Sequence, residues 1–504
     1  MHSHLKILFK NKMAELKKVV WILFFVVAVL RIFIAFSNPY FDYDSYFHIR
    51  HIENILKTGI PAFNDPLSHG GSFFIFPPLF HYIMAFFSLA IPLEIVGKII
   101  PNILYALLIP LSYYISEEIA ENKKLSIIAP VVVAFMPVLW SNVFSLNPLC
   151  IAIPAIFFAF YFLIRMKNKK DVAYFIALIV LASLTSPITI IAIPVIWLYI
   201  LFLKIEKINE KCPLTELAIF STFFILLIQF IFYKNVILIN GASVIWQNMP
   251  AELLKNYFAK IGILDVIANI GVLPFIFGLY EIYVFSFEKK ERASGLFISM
   301  AIVLGTFVWA KLIPLQTGMI LLGLSITVVS ISSINHFINY FNKIKFKNLS
   351  YVTIATIVIF LASAIIPASY YMNLSKNNLP DNAEVDGMLW LKENTSEGSA
   401  VIGAVKDGFM ITALSNRKNI IDNNFLIEKD SEEKFNDIAT IYKTSYETNA
   451  LQLLNKYNAK YIFFGKNSKN EFNATRLGFE DEKCFSKFFE EEEVSIYKTW
   501  CDLE

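Results

Sequence analysis

Long, nearly uninterrupted apolar runs dominate the chain from residue 19 to residue 367; beyond residue 368 they give way to short runs broken by charge. Most of the early runs hold roughly 13 to 22 residues, near the ~20 that a helix rising ~1.5 Å per residue needs to cross hydrocarbon. They predict membrane-spanning helices at 19–36, 94–115, 126–145, 148–164, 172–184, 187–203, 217–233, 265–285, 295–310, 318–334 and 350–368. After residue 368 a helical period around Met388 and Trp390 is followed by short apolar segments at Val401-Ile402, 460–465 and 494–498. That alternation is the pattern of helices and buried strands in a small α/β domain. The expected organisation is a polytopic α-helical membrane part of about eleven spans, residues 1–368, followed by an α/β domain, residues 369–504.

Composition agrees with lipid as the solvent: of 504 residues, 56% are hydrophobic and only 17% charged. The net charge of +3 gives no reason to expect a nucleic-acid partner, so the placement of the basic residues matters more than their sum. Lys6, Lys10, Lys12, Lys17 and Lys18 precede the first span and assign the N-terminus to the cytoplasm. That span reads as an uncleaved start-transfer anchor, because no small-residue cleavage site follows it. Placing the basic loops 123–124, 165–170, 204–211, 289–292 and 343–347 in the cytoplasm leaves the C-terminal domain outside the plasma membrane. The apolar stretch 76–92 would invert every later loop if it spanned. Bounded by Pro77, Pro78 and Pro92, it reads as a short juxtamembrane or re-entrant helix. Cys150 falls in a span and Cys212 in a cytoplasmic loop, whereas Cys484 and Cys501 share the exported domain, where both a disulfide and free thiols are open.

Candidate chemistry concentrates in the first external loop, residues 38–75, which contains Asp42-Tyr-Asp44-Ser-Tyr-Phe-His48-Ile-Arg50-His51 and later Gly59. Helical spacing from Asp44 puts Ile49, Ile52, Ile55 and Leu56 on one side, expected to face the membrane; Asp44 can cap the start and Gly59 ends the helix. Asp42 and Asp44 then lie at a helix N-terminus beside the outer bilayer surface. A carboxylate there can hold a divalent ion or take a proton from an acceptor, and the helix end favours phosphate; the alternative is that both simply cap the helix.

The stretch Asp44-Ser-Tyr-Phe-His-Ile-Arg50, with Gly59 and Phe76-Pro-Pro-Leu79, resembles the first external loop of GT-C membrane glycosyltransferases, in particular the archaeal oligosaccharyltransferase catalytic subunit and its relatives. Met388 to Thr395, Val401-Ile402, Asp407-Gly408 and Ile411 to Arg417 resemble that family's soluble domain. The resemblance implies an archaeal plasma-membrane enzyme that takes a sugar from a polyprenyl-phosphate-linked donor at the outer face and gives it to a protein or glycolipid acceptor. It assigns catalysis to Asp44, with Asp42 second, and donor or acceptor binding to His48, Arg50, Lys311 and Asp407. It also implies Mg2+ or Mn2+, with Asp44 as a ligand.

Several positions depart from the family. Ala404-Val-Lys-Asp-Gly408 stands where relatives carry the acceptor-recognition motif WWDYG, and only the glycine remains in register. The second external loop, residues 140–148, has Asn142 and Asn147 but no carboxylate, although hard cations want several charged oxygens. Two alternatives to a GT-C sugar transferase follow: an oligosaccharyltransferase with a divergent acceptor site, and a non-catalytic relative that binds glycolipid. The external loop 234–260, with Trp246, reads either as a cover over a substrate or as an interfacial helix with a Trp anchor.

Overall fold

The computed structural model describes residues 2–120, 123–208, 213–258, 262–287, 292–343, 349–480 and 483–501. Cys212 and much of the basic loops expected in the cytoplasm (209–211, 289–291 and 344–347) lie outside the described residues. Two compact units emerge. The first comprises Met1–Asn38, Gly97–Ile231 and Lys260–Asn377; the second comprises Pro39–Val96, Phe232–Ala259 and Asn378–Glu504.

The first unit is helical. Among the described residues, six helices are long and apolar enough to cross a membrane, and a bent pair makes up to seven. The chain is a multi-pass membrane protein, but two expected spans are not single straight helices. The run 126–145 breaks into Leu125–Ile127, Ile128–Ala134 and Pro137–Trp140, with Pro137 unable to continue the preceding helix. The run 265–285 becomes Ile263–Ile270 and Val272–Phe287, bent by 105°. The break falls at Gly271, whose φ of 104° a residue with a Cβ rarely adopts. The last helix of the unit, Leu349–Asn377, continues past residue 368, so the compact boundary falls at Asn377.

In the second unit, the stretch 76–92 contributes a helix of 10 residues, Leu79–Ser88, about half the length needed to span at ~1.5 Å per residue. A two-stranded hairpin pairs β1 (Asn64–Asp65) with β2 (Ser72–Phe73). A mixed sheet follows, of β3 (Ala400–Ile402), β4 (Lys418–Asn419), β5 (Ala459–Phe464), β6 (Phe485–Glu491) and β7 (Val494–Thr499), in the order β4-β3-β5-β7-β6. β3 runs parallel to β4 and β5; β7 is antiparallel to β5 and β6. Cys484 and Cys501 form a disulfide at the end of the β6-β7 pair.

The two-residue period of the strands builds two cores. Ala400, Ile402, Ile462 and Phe464 point into one, against Phe435, Ile438 and Tyr442 of the helix Ser431–Lys443 and Leu451 and Leu454 of Glu447–Lys456. Val401, Tyr461 and Phe463 point into the other, against Met388 and Leu391 of the helix Asn382–Asn394. Tyr43 and Tyr46 of the first loop join this second core, 6% and 4% exposed. Removing two such rings from water supplies several kcal/mol at ~25 cal/mol per Å2, enough to hold the loop on the sheet.

Candidate active site

The helix after the acidic pair spans Ser45–Thr58, and Gly59 ends it with φ 83°, the left-handed geometry its lack of a Cβ permits. Its apolar side faces protein rather than lipid at the centre: Ile52 is fully buried and Ile55 nearly so, while Leu56 stays exposed. The N-terminus differs from expectation in a way that matters. Asp44 makes no cap hydrogen bond, and its backbone is already helical. Asp42 does that work, its Oδ1 accepting from the Ser45 N–H at 3.0 Å and from the Ser45 hydroxyl. The capping role therefore consumes Asp42 and leaves the Asp44 carboxylate exposed, pointing at Asn423, whose Nδ2 donates to Oδ1 at 2.6 Å.

Asn423 is held there by its neighbour. Asp422 is completely buried and accepts four hydrogen bonds: from the His69 ring at 3.0 Å, the Ser68 hydroxyl at 2.8 Å, Asn419 Nδ2 at 2.9 Å and the Asn424 N–H at 2.8 Å. Burial alone would raise the Asp422 pKa; the charge and hydrogen bond of His69, with the amide donors, override it and bring it down to about 2. His69 takes a left-handed backbone, φ 50°, and its N–H donates to Asn419 Oδ1 at 2.6 Å. Gly408 packs its backbone directly on this segment. A Cβ there would meet Ile421 O at 2.1 Å, which gives a physical reason for a glycine at that position.

The remaining candidates divide. Arg50 is tied to Asp65 at 2.5 Å, and Asp65 Oδ1 also accepts from the Leu67 and Ser68 N–H groups, so this pair fixes the turn of the hairpin that carries His69. His48 Nδ1 lies 2.9 Å from His81 Nε2, and burial pushes the His48 pKa down to about 3, so its ring is neutral. Asp407 is fully buried and accepts from Asn467 at 2.6 Å. The exposed member of 404–408 is Lys406, whose charge is felt at Asp44. Lys311 belongs to the first unit, at a turn with φ 60°. Asn142 and Asn147 are also in that unit and are engaged internally, Asn142 with Val138 O at 3.1 Å and Asn147 with Ser145 at 2.6 Å and Tyr105 at 3.2 Å.

Crowding by protein raises the Asp44 pKa, and Asp422 adds to it, against the opposing pull of Asn423 and Lys406. A raised carboxyl is a better proton acceptor once ionised. As a divalent-metal site the set fits poorly. Asn423 presents its nitrogen, Asp42 is spent on Ser45, and among the described residues no group of three or more His, Cys, Asp or Glu is arranged to hold a metal. Sequence reasoning missed His69, Asp422 and Asn423. The polar run Asp422-Asn-Asn424 was the only local signal, and it reads as an ordinary turn.

The chain shares its fold with solved structures of an oligosaccharyltransferase and of ArnT. No family model matches it. The structure is similar to the oligosaccharyltransferase of Archaeoglobus fulgidus, with a TM-score of 0.66 at 15% identity over 93% of this chain and 73% of that one. It is also similar to ArnT from Cupriavidus metallidurans, with a TM-score of 0.59 at 9% identity over 94% and 97% of the two chains. In sequence, a segment of 109 residues is 34% identical to dolichyl-phosphooligosaccharide-protein glycotransferase 2 of Archaeoglobus fulgidus, spanning 20% of this chain and 18% of that relative.

Proposed function

We propose that this protein transfers a sugar from a polyprenyl-phosphate-linked donor to an acceptor at the outer face of the membrane, with Asp44 as the acidic group at the reacting centre. The observation that carries the reading is the release of Asp44 from capping: a carboxylate at a helix start, exposed, oriented by an amide and supported from behind by a buried His69–Asp422 pair. In the transfer, the bond from the anomeric carbon to the phosphate oxygen breaks and a bond from that carbon to the acceptor's oxygen or nitrogen forms. Asp44 takes or orients the acceptor proton, and the polyprenyl phosphate departs with the electron pair. Lys406 is the cation suited to balance negative charge near Asp44. Lipid phosphate as the donor's carrier is supported by solved neighbours: the Archaeoglobus fulgidus oligosaccharyltransferase in complex with an inhibitory peptide and a dolichol-phosphate, and ArnT bound to undecaprenyl phosphate.

A second reading is a true oligosaccharyltransferase with a divergent acceptor site, favoured by the 109-residue match. Incubating the purified protein with lipid-linked glycan and an Asn-x-Thr peptide separates the two, since a glycosylated peptide would establish the second. For the first, membranes containing Asp44→Ala should transfer no lipid-linked sugar while the native chain does; transfer at the native rate would remove Asp44 from the chemistry.

A further inference from the structure

Within the second unit, a short helical turn, Gly241–Trp246, buries none of its residues, and it leads into two consecutive left-handed residues, Gln247 (φ 58°) and Asn248 (φ 51°). Neither is a glycine; asparagine tolerates this region, but Gln247 is held there against its preference. Side chains do the holding. Asn240 Nδ2 donates to Leu426 O at 2.7 Å, Asn248 Nδ2 donates to Phe425 O at 2.8 Å and to Glu428 O, and the Ser431 hydroxyl donates to Asn248 O at 2.8 Å. Met249 and Leu253 pack on the larger core of the sheet. The loop is thus fixed to residues 425–431, and between them lies a cavity of 410 Å3.

The lining is unusual for a membrane-anchoring loop. Trp246, 42% exposed, contributes an indole ring, and Met249, Pro250 and Leu254 supply apolar surface. Asp430, Glu432 and Glu433 are also in the lining with Lys429, and Glu433 is paired with Lys456 Nζ at 2.6 Å, so the lining keeps an excess of negative charge through Asp430 and Glu432. Carboxylates only accept hydrogen bonds, so a ligand for this cavity must bring donors and one apolar face, and an excess of negative charge disfavours a phosphate. A pyranose ring meets that description, with C–H bonds on a face that can lie on indole and hydroxyls around its edge that donate to carboxylates.

We propose that this groove is a binding site for a neutral saccharide. It extends the reading of the chain as a sugar transferase, because it gives the transferred or receiving glycan a place to dock, but binding here needs no contact with Asp44. The test uses the full chain in lipid nanodiscs with chitotriose and mannotriose as probes and glucose 1-phosphate as an anionic control, followed by calorimetry and saturation-transfer NMR. At least one neutral trisaccharide should bind saturably. Trp246→Ala should weaken that binding at least ~10-fold, as truncation of a central aromatic anchor does. Ala251→Trp, which fills the groove without removing a ring, should weaken it too. Absence of binding by both trisaccharides, equal binding by Trp246→Ala, or preferential binding of glucose 1-phosphate would overturn the proposal. The two readings fail separately: native saccharide binding without any transfer sinks the enzyme, whereas transfer without saccharide binding at Trp246 sinks the groove.

Discussion

Replacing Gly408 by alanine perturbs the support of Asp44 without touching the carboxylate. A Cβ built at Gly408 would stand 2.1 Å from Ile421 O, 2.6 Å from Asp422 Cβ and 2.8 Å from Asp422 Cα. Two of the three are backbone atoms, so no flexible side chain can swing aside. Ordinary contact needs about 3.5 Å, so the 421–422 backbone has to retreat by more than about 1 Å, or Gly408 itself has to move. Overpacking of that kind costs typically about 1 to 3 kcal/mol. The retreating segment carries Asp422, with its His69, Ser68, Asn419 and Asn424 partners, and Asn423 with its hydrogen bond to Asp44. Asn419 Nδ2 also donates to Gly408 O at 2.9 Å, so both sides of the contact are tied. Gly408→Ala should lower the melting temperature of the purified protein by several degrees, roughly 2 to 4 °C per kcal/mol for a unit of this size. Transfer activity should fall further than stability alone explains. Gly305→Ala, with nothing within 4 Å of the added Cβ, is the control and should melt like the native chain. A Gly408→Ala protein with native melting and native transfer would refute the close approach as a support for the site.

Asn423→Ala removes a hydrogen bond to an exposed carboxylate and should slow transfer several-fold, at roughly 0.5 to 1.5 kcal/mol for such a bond. Asn423→Asp places a like charge beside Asp44 and should move the acidic limb of the pH–rate profile upward by about one pH unit, from Coulomb repulsion of ~1 kcal/mol in water-like surroundings; an unmoved limb would separate Asp44 from the titration. Glu471, raised by burial to about 7 from 4.5, binds its proton more tightly folded than unfolded. Its contribution is therefore complete below pH ~4.5 and is lost as pH rises through about 7, up to ~3 kcal/mol. Glu384 and Asp407 are shifted in the same direction, also by burial first. Melting temperatures measured from pH 5 to pH 8 should fall for the native chain and fall less for Glu471→Gln; parallel curves would contradict this.

Local pattern made the helix after Asp44 and its stop at Gly59 legible, because helix spacing and a left-handed glycine are properties of neighbouring residues. The same holds for β5 and β7, whose apolar runs match the sheet's inner faces. Which acidic residue caps the helix was not legible: Asp42 and Asp44 compete within one turn, and the outcome depends on how Tyr43 and Tyr46 dock on the sheet. Helix breaks at Gly271 and Pro137 were masked by apolar runs long enough to span. The site's second half was out of reach altogether, since His69 and Asp422 are 353 positions apart and Asp44 and Asn423 are 379 apart. No local period joins such residues; only the fold does.

Transfer of a labelled lipid-linked sugar by Asp44→Asn in proteoliposomes bears most directly on the role of that carboxylate. Asparagine keeps the shape and loses the basic oxygen, so stability should hold while transfer falls by at least ~100-fold, the lower range for removal of a general base. Native-level transfer by a folded Asp44→Asn protein would contradict it.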